Sequence, residues 1–392
     1  MNLGYFDIKT NRNGRSSVKY DGRRAFFGTD DLLPMWVADM DFMVPPAVIK
    51  AAEEFSRYGV FGYTFRPESS LEAFAEWCQL RYDWRPNLKW MTSSPGIVTA
   101  LSLAVDVFSS KGDKIMISTP VYPPFHSIVK DFERELVTCD LYLDAEGRYT
   151  YDFDAFEKQL ASGVKMYILC NSHNPVGRVW TKEELSKIGE LCLKHGVLIF
   201  SDEIHCDLAL YGNKHTVMAS ISEEISAITI TAMAPSKTFN IAGMMNSVMV
   251  ISNDSLRSKF NKILHQYHLE LGNVFAHMTM EAAYRHGGEW LDLLKQYLEG
   301  NIDYTYNSLK SNLPTVAFYK PEGSFLLWLD FRQSGLSHKE VYDRLINVSK
   351  VGLNDGLSFG LSGEGFMRMN IGTQRSVLEE GLNKIITTFN SI

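Results

Sequence analysis

The stretch Ile228–Gly243, I-T-I-T-A-M-A-P-S-K-T-F-N-I-A-G, decides how the rest of the chain is read. Its first four residues are β-branched and predict a short buried strand. Pro235 breaks that run and delivers Ser236 and Lys237 ahead of Gly243. A lysine held at a strand's end can form a Schiff base with an aldehyde, provided its amine is sometimes neutral. Most lysines are solvated surface charges, so Lys237 alone decides nothing. Its company does: Asn174, in N-S-H-N-P-V-G-R, and Asp202, in L-I-F-S-D-E-I-H, each follow an apolar run in the same way.

Working outward, apolar runs alternate with helical patterns. Strands are expected at 114–118, 135–139, 166–170, 197–201 and 247–251, with helices after Pro124, from Asp154 and over Lys182–His195. The runs are apolar throughout, as strands covered on both faces should be. Helices between strands argue for right-handed crossovers and an α/β fold with a mostly parallel, doubly wound sheet. Ligands gather beyond the carboxyl ends of such strands. Upstream, Pro45 and Pro46 open a helix over 47–58. A second runs over 70–82 with Leu71, Phe74, Trp77 and Leu80 on one face. Residues 1–45 read as an irregular arm with a short strand at 36–38 and two solvated aspartates, Asp39 and Asp41. Beyond 251 the pattern is helical to about Leu313, and strands follow within 321–330 and 365–372.

Composition narrows the class. A chain of 392 residues favours two domains, and 45% hydrophobic with 22% charged residues is ordinary for a soluble globular protein. A net charge of -7 argues against nucleic acid or an acidic membrane surface as the main partner. No apolar run approaches the roughly 20 residues of a membrane span, and the first residues, M-N-L-G-Y-F-D-I-K, have no signal-peptide h-region. Five scattered cysteines without a C-x-x-C pair suit free thiols and a cytoplasmic location.

A-P-S-K-T-F-N, preceded in order by N-P-x-G and S-D-E, resembles the lysine motif of the fold-type I pyridoxal phosphate (PLP) enzymes, the aspartate aminotransferase superfamily. W-V-A-D-M-D-F, residues 36–42, resembles the cystathionine β-lyase branch, the C–S lyases of MalY/PatB type. The resemblance implies a large PLP-binding domain over 46–289. The smaller α+β domain would take residues 290–392 together with the arm, 1–45. It implies that Lys237 carries the cofactor and that Asp202 faces the pyridine nitrogen, with Tyr122 (T-P-V-Y-P-P-F) stacked on the ring. Asn174 would donate to the phenolic oxygen, and Gly96, Ile97, Val98 and Ser236 would hold the phosphate, with His205 also at the cofactor. Tyr63 would reach the phosphate in the neighbouring subunit, which makes the protein a homodimer. Ala38, Asn174 and Arg368, the last in R-x-N-x-G, would hold the substrate's α-carboxylate.

Three positions depart from the aminotransferase pattern toward the C–S lyases. Met245 stands where an arginine often binds phosphate, Ala234 replaces a hydroxyl residue, and His205 replaces a tyrosine. The phosphate's charge must then be met by backbone, Ser236, Tyr63 or a lysine not identified. The activity implied is β-elimination from L-cystathionine or a related cysteine S-conjugate, giving thiol (homocysteine or hydrogen sulfide), pyruvate and ammonia, as in methionine biosynthesis. The alternative is an amino-acid aminotransferase, which shares every step up to loss of the α-proton. A regulator with a ligand-sensing aminotransferase-like domain is disfavoured, because residues 1–45 are too few and too little basic for a DNA-binding domain. A Cys/His pair at His205 and Cys206 is also disfavoured, since neighbours on a strand point to opposite faces. His265 and His268 lack a third ligand, so no metal is expected.

Overall fold

The computed structural model describes residues 1–391 and builds its centre from seven strands. These are β1 (Met91–Ser94), β2 (Lys114–Ile117), β3 (Glu135–Thr138), β4 (Val164–Cys170), β5 (Leu198–Asp202), β6 (Thr229–Met233) and β7 (Ser247–Val250). They lie in the order β1-β7-β6-β5-β4-β2-β3. β7 runs antiparallel to both its neighbours, and every other pairing in the sheet is parallel. The expected mostly parallel α/β sheet is therefore present. Period-2 alternation sends successive side chains to two separate cores. Ile115, Ile117, Met166 and Ile168 pack with the helix Ile97–Phe108 on one face. Met116, Tyr167, Leu169 and Ile199 pack with the helix Lys182–His195 on the other.

That second helix shows how local sequence sets a boundary. Thr181 and Glu184 form a reciprocal capping box at its start, and Gly196, with φ 66°, closes its end in a left-handed turn. A third core joins the helices Glu68–Tyr82 and Gly288–Asn312 to a second, three-stranded antiparallel sheet. Its strands are β8 (Leu326–Asp330), β9 (Asn354–Asp355) and β10 (Phe366–Asn370), with β10 in the middle.

Four expectations are corrected. The 68–82 helix buries Ser70, Ala73, Phe74, Trp77 and Cys78, an i, i+3, i+4, i+7, i+8 stripe, so Leu80 falls on the far side and is 75% exposed. The arm is not irregular: it carries helical turns at Leu3–Asp7, Val18–Asp21 and Arg23–Phe27. Its strand lies at Leu33–Pro34, paired with Val351–Gly352, rather than at 36–38. Nor is Asp41 solvated. It is buried and ion-paired to buried Lys19 at 2.7 Å and to Arg12 at 2.8 Å, and Arg12 also holds the partly buried Asp39. A buried carboxylate is tolerable only with such partners. None of the described helices is long and apolar enough to cross a membrane.

Candidate active site

At the carboxyl ends of β4, β5 and β6 the chain encloses a cleft of about 310 Å³. Register places Asp202, the last residue of β5, between Cys170 of β4 and Ala232 of β6. The ladder continues to the rim: Asn171 N–H donates to the Asp202 carbonyl at 2.9 Å, and Glu203 N–H to that of Ala232 at 2.8 Å. β6 then stops, and Pro235 starts a single helical turn, Pro235–Thr238, at the position where its missing N–H costs nothing. The turn is pinned from behind. Thr238 Oγ1 donates to the buried carboxylate of Asp207 at 2.7 Å, and Trp77 Nε1 to the same carboxylate at 2.8 Å. Lys237 is thereby turned into the cleft, where its Nζ donates to the Ala38 carbonyl at 2.6 Å.

Burial lowers the Lys237 pKa to about 8; Asp39 and Asp202 oppose the shift and Arg368 adds to it. Roughly one amine in ten is then neutral at pH 7, against fewer than one in a thousand for an ordinary lysine. Burial pushes Asp202 the other way, up to about 7, although the Ile204 N–H donates to its carboxylate at 3.1 Å. Among the described residues that carboxylate has no cation paired to it, and it opens on the cleft. His205 lines the cleft too, buried, with its pKa lowered to about 3 and Nδ1 without a partner. Tyr122 and Asn174 complete this wall.

Arg368, on β10, stands one hydrogen bond behind the wall. It is buried and donates to Asn174 Oδ1 at 3.1 Å, to the Trp36 carbonyl at 3.0 Å and to Asn354 Oδ1 at 2.6 Å, with Phe359 packed on its guanidinium. Among the described residues Nε has no partner and no carboxylate neutralises the charge; burial brings its pKa to about 10. A buried guanidinium in this state is suited to capturing a carboxylate. Opposite, the helix Ile97–Phe108 begins at Gly96, whose φ of 155° a side chain would strain. Gly96, Ile97, Val98 and Ser236 line that end, a helix start made for an anion, with Met245 and Asn246 beside them.

The fold thus brings Ala38, Gly96, Ile97, Val98, Tyr122, Asn174, Asp202, His205, Ser236 and Lys237 to one cleft, with Arg368 touching it through Asn174. It does not bring Tyr63, which is wholly exposed. His205 and Cys206 lie past the end of β5, His205 preceding a short 3-10 turn, so their separation is not that of strand neighbours. His265 is exposed and paired to Glu270, and the described residues hold no cluster of metal-ligating side chains. Four groups at the site escaped sequence reasoning. The Trp36 carbonyl and Asn354 hold Arg368, Asp39 biases Lys237, and Cys170 Sγ accepts from Asn174 N–H at 3.3 Å. No local pattern marks any of them. The set fits PLP: an uncompensated carboxylate for a ring nitrogen, a helix start for a phosphate, and an amine of lowered pKa for an aldehyde.

Comparison with known proteins agrees with this geometry. The family model for aminotransferase class I and II matches residues 30–385. Cystathionine beta-lyase PatB of Bacillus subtilis (strain 168) is 45% identical over 97% of this chain and 98% of its own. A PLP-bound putative aminotransferase from Clostridium difficile 630 superposes with TM-score 0.97 at 42% identity, covering 98% of this chain and 99% of that one. A PLP-bound C-S lyase from Staphylococcus hominis superposes with TM-score 0.91 at 32% identity, covering 98% and 97%.

Proposed function

The chain belongs to the aminotransferase class I and II family, within which it is a PLP-dependent C–S lyase of the cystathionine β-lyase kind, and we propose L-cystathionine or a related cysteine S-conjugate as its substrate. The products would be the thiol (homocysteine, or hydrogen sulfide from cysteine itself), pyruvate and ammonia. The observation that carries this reading is Lys237: an amine near pKa 8 sharing a cleft with a buried, uncompensated carboxylate and lying close to a buried, uncompensated guanidinium.

When bound, PLP supplies an electron sink for the pair left as the substrate's α-proton departs. Arg368 binds the α-carboxylate through its free Nε edge, with Asn174 fixing the guanidinium plane and the Ala38 backbone closing the same corner. Lys237 Nζ, held near the Ala38 carbonyl, takes the proton from Cα as general base. Asp202 would keep a proton on the ring nitrogen by a charge-assisted hydrogen bond, and Tyr122 would stack on the ring. Asn174 would serve the phenolic oxygen as well, while Gly96, Ile97, Val98 and Ser236 would hold the phosphate, with His205 also at the cofactor. The Cα–H pair expels the β-thiolate, which leaves as thiol. One water then completes the balance, and the three-carbon remainder departs as pyruvate and ammonia.

The protein is proposed to act as a homodimer, divided into a large unit (46–289) and a small one (290–392 with 1–45). Tyr58, Phe61, Tyr63 and Phe65 are all exposed, an apolar surface that a second copy would cover and from which Tyr63 would reach the partner's phosphate. An aminotransferase is the second reading, favoured by the likeness to the Clostridium difficile aminotransferase structure. Turnover separates them. Given L-cystathionine and no keto acid, a lyase releases pyruvate and thiol through many cycles. An aminotransferase stops after one and resumes when a keto acid is added, and that outcome would displace the lyase reading.

A further inference from the structure

Met245 leaves the phosphate end of the cleft without a guanidinium of its own, and its side chain is 55% exposed. A guanidinium is nonetheless buried next door. Arg66 donates through an Nη to Asn246 Oδ1 at 2.6 Å, and Asn246 lines the cleft beside Met245. The other Nη and the Nε of Arg66 are buried without any partner. No acid among the described residues compensates the charge; burial alone acts on it, bringing its pKa to about 10. Arg66 and Arg368 share this condition, and each touches the cleft through one of its lining asparagines, Asn246 and Asn174. An unpaired buried cation is costly, and the cost falls when an anion completes the site.

The surroundings fix that charge beside the cleft. Asn246 cannot swing away, because its Nδ2 is committed to the Ala276 carbonyl at 3.0 Å and to the sulfur of Met280. His277 is the other titratable group facing Arg66. Burial first, and then the arginine's charge, lower its pKa, so it adds no competing cation. Asn246 shares the lining of the cleft with Gly96, where the helix starts, and with Ser236.

We infer that Arg66 is the countercharge of the cofactor phosphate in this chain, standing behind Asn246 and supplying what position 245 does not. It is a positioning residue, held by Asn246 Oδ1 and acting through its own field, and the inference rests on PLP occupying this cleft. The test compares PLP with pyridoxal, which has the same ring and aldehyde but no phosphate. Full-length wild-type enzyme and Arg66→Gln are stripped with hydroxylamine and titrated with each compound, following the absorbance of the bound aldehyde. Arg66→Gln should weaken PLP on the order of tenfold or more and leave pyridoxal within about twofold. In the Arg66→Gln background, Met245→Arg should restore much of the PLP affinity. Equal losses for both compounds would show a merely structural residue. An unchanged PLP affinity, with or without loss of the dimer on sedimentation, would equally overturn the inference. Should Arg66→Gln fail to fold, Arg66→Lys supports the same comparison and must retain a preference for PLP over pyridoxal intermediate between none and that of the wild type. A wild type that bound neither compound would instead refute the cofactor site itself.

Discussion

Replacing Arg368 by glutamine removes the one charge poised for the substrate's carboxylate. The guanidinium is buried, unneutralised by any acid, and holds three acceptors: Asn174 Oδ1, the Trp36 carbonyl and Asn354 Oδ1. With a pKa near 10 it stays almost wholly charged at pH 8. Losing one member of a desolvated guanidinium–carboxylate pair costs about 2–5 kcal/mol, which is roughly 30- to 5,000-fold in kcat/KM. Part of any loss would come from orphaned acceptors, so activity alone is ambiguous. L-alanine, which has no leaving group, and L-alaninamide, which lacks the carboxylate charge, separate the two causes. Wild-type enzyme should bind L-alanine far more tightly, as read from the shift in cofactor absorbance. Arg368→Gln should erase most of that preference while leaving L-alaninamide little changed. A variant that kept the wild-type preference would refute the assignment, however inactive it was.

Two further outcomes follow from the charges and the exposed surface. The folded-state pKa of Asp202, about 7, lies above its unfolded value near 3.9, so the unfolded chain binds fewer protons across that interval and the stripped protein loses stability as pH rises from 4 to 7. Asp202→Asn escapes this loss, and its thermal advantage over the stripped wild type should grow across the same window to at most about 4 kcal/mol; a gap independent of pH would contradict the account of that carboxylate. Tyr63 stands wholly exposed in an apolar surface, so the active enzyme should sediment as a dimer and Tyr63→Phe should weaken PLP more than pyridoxal. A fully active monomer would rule out that arrangement.

Much of the sheet could be read directly because β4, β5 and β6 are β-prone segments buried on both faces at every position but Lys165 and the partly buried Leu198, and the Lys182–His195 helix carries its own cap. β1 was missed because Met91–Ser94 contains Thr92, Ser93 and Ser94; an edge strand this polar exists through its pairing with β7, more than 150 residues away in sequence. Asp39 and Asp41 looked solvated because their cations, Arg12 and Lys19, sit some 20 to 30 residues upstream with no periodic relation to them. Asn354, the Trp36 carbonyl and Arg66 share this character. Their roles come from tertiary placement, and no spacing in the sequence announces them. Lys237, Asp202 and Asn174 were legible because strand ends deliver them in chain order, each after a run that could only be a strand.

The account turns on the Lys237 amine being the group that holds the cofactor aldehyde. Borohydride reduction of the freshly purified yellow enzyme, followed by peptide mapping, tests this directly. The account predicts one reduced pyridoxyl adduct, on the peptide carrying A-P-S-K-T-F-N and at Lys237. An adduct on any other lysine, or an enzyme that turns over while leaving Lys237 unmodified, would contradict it.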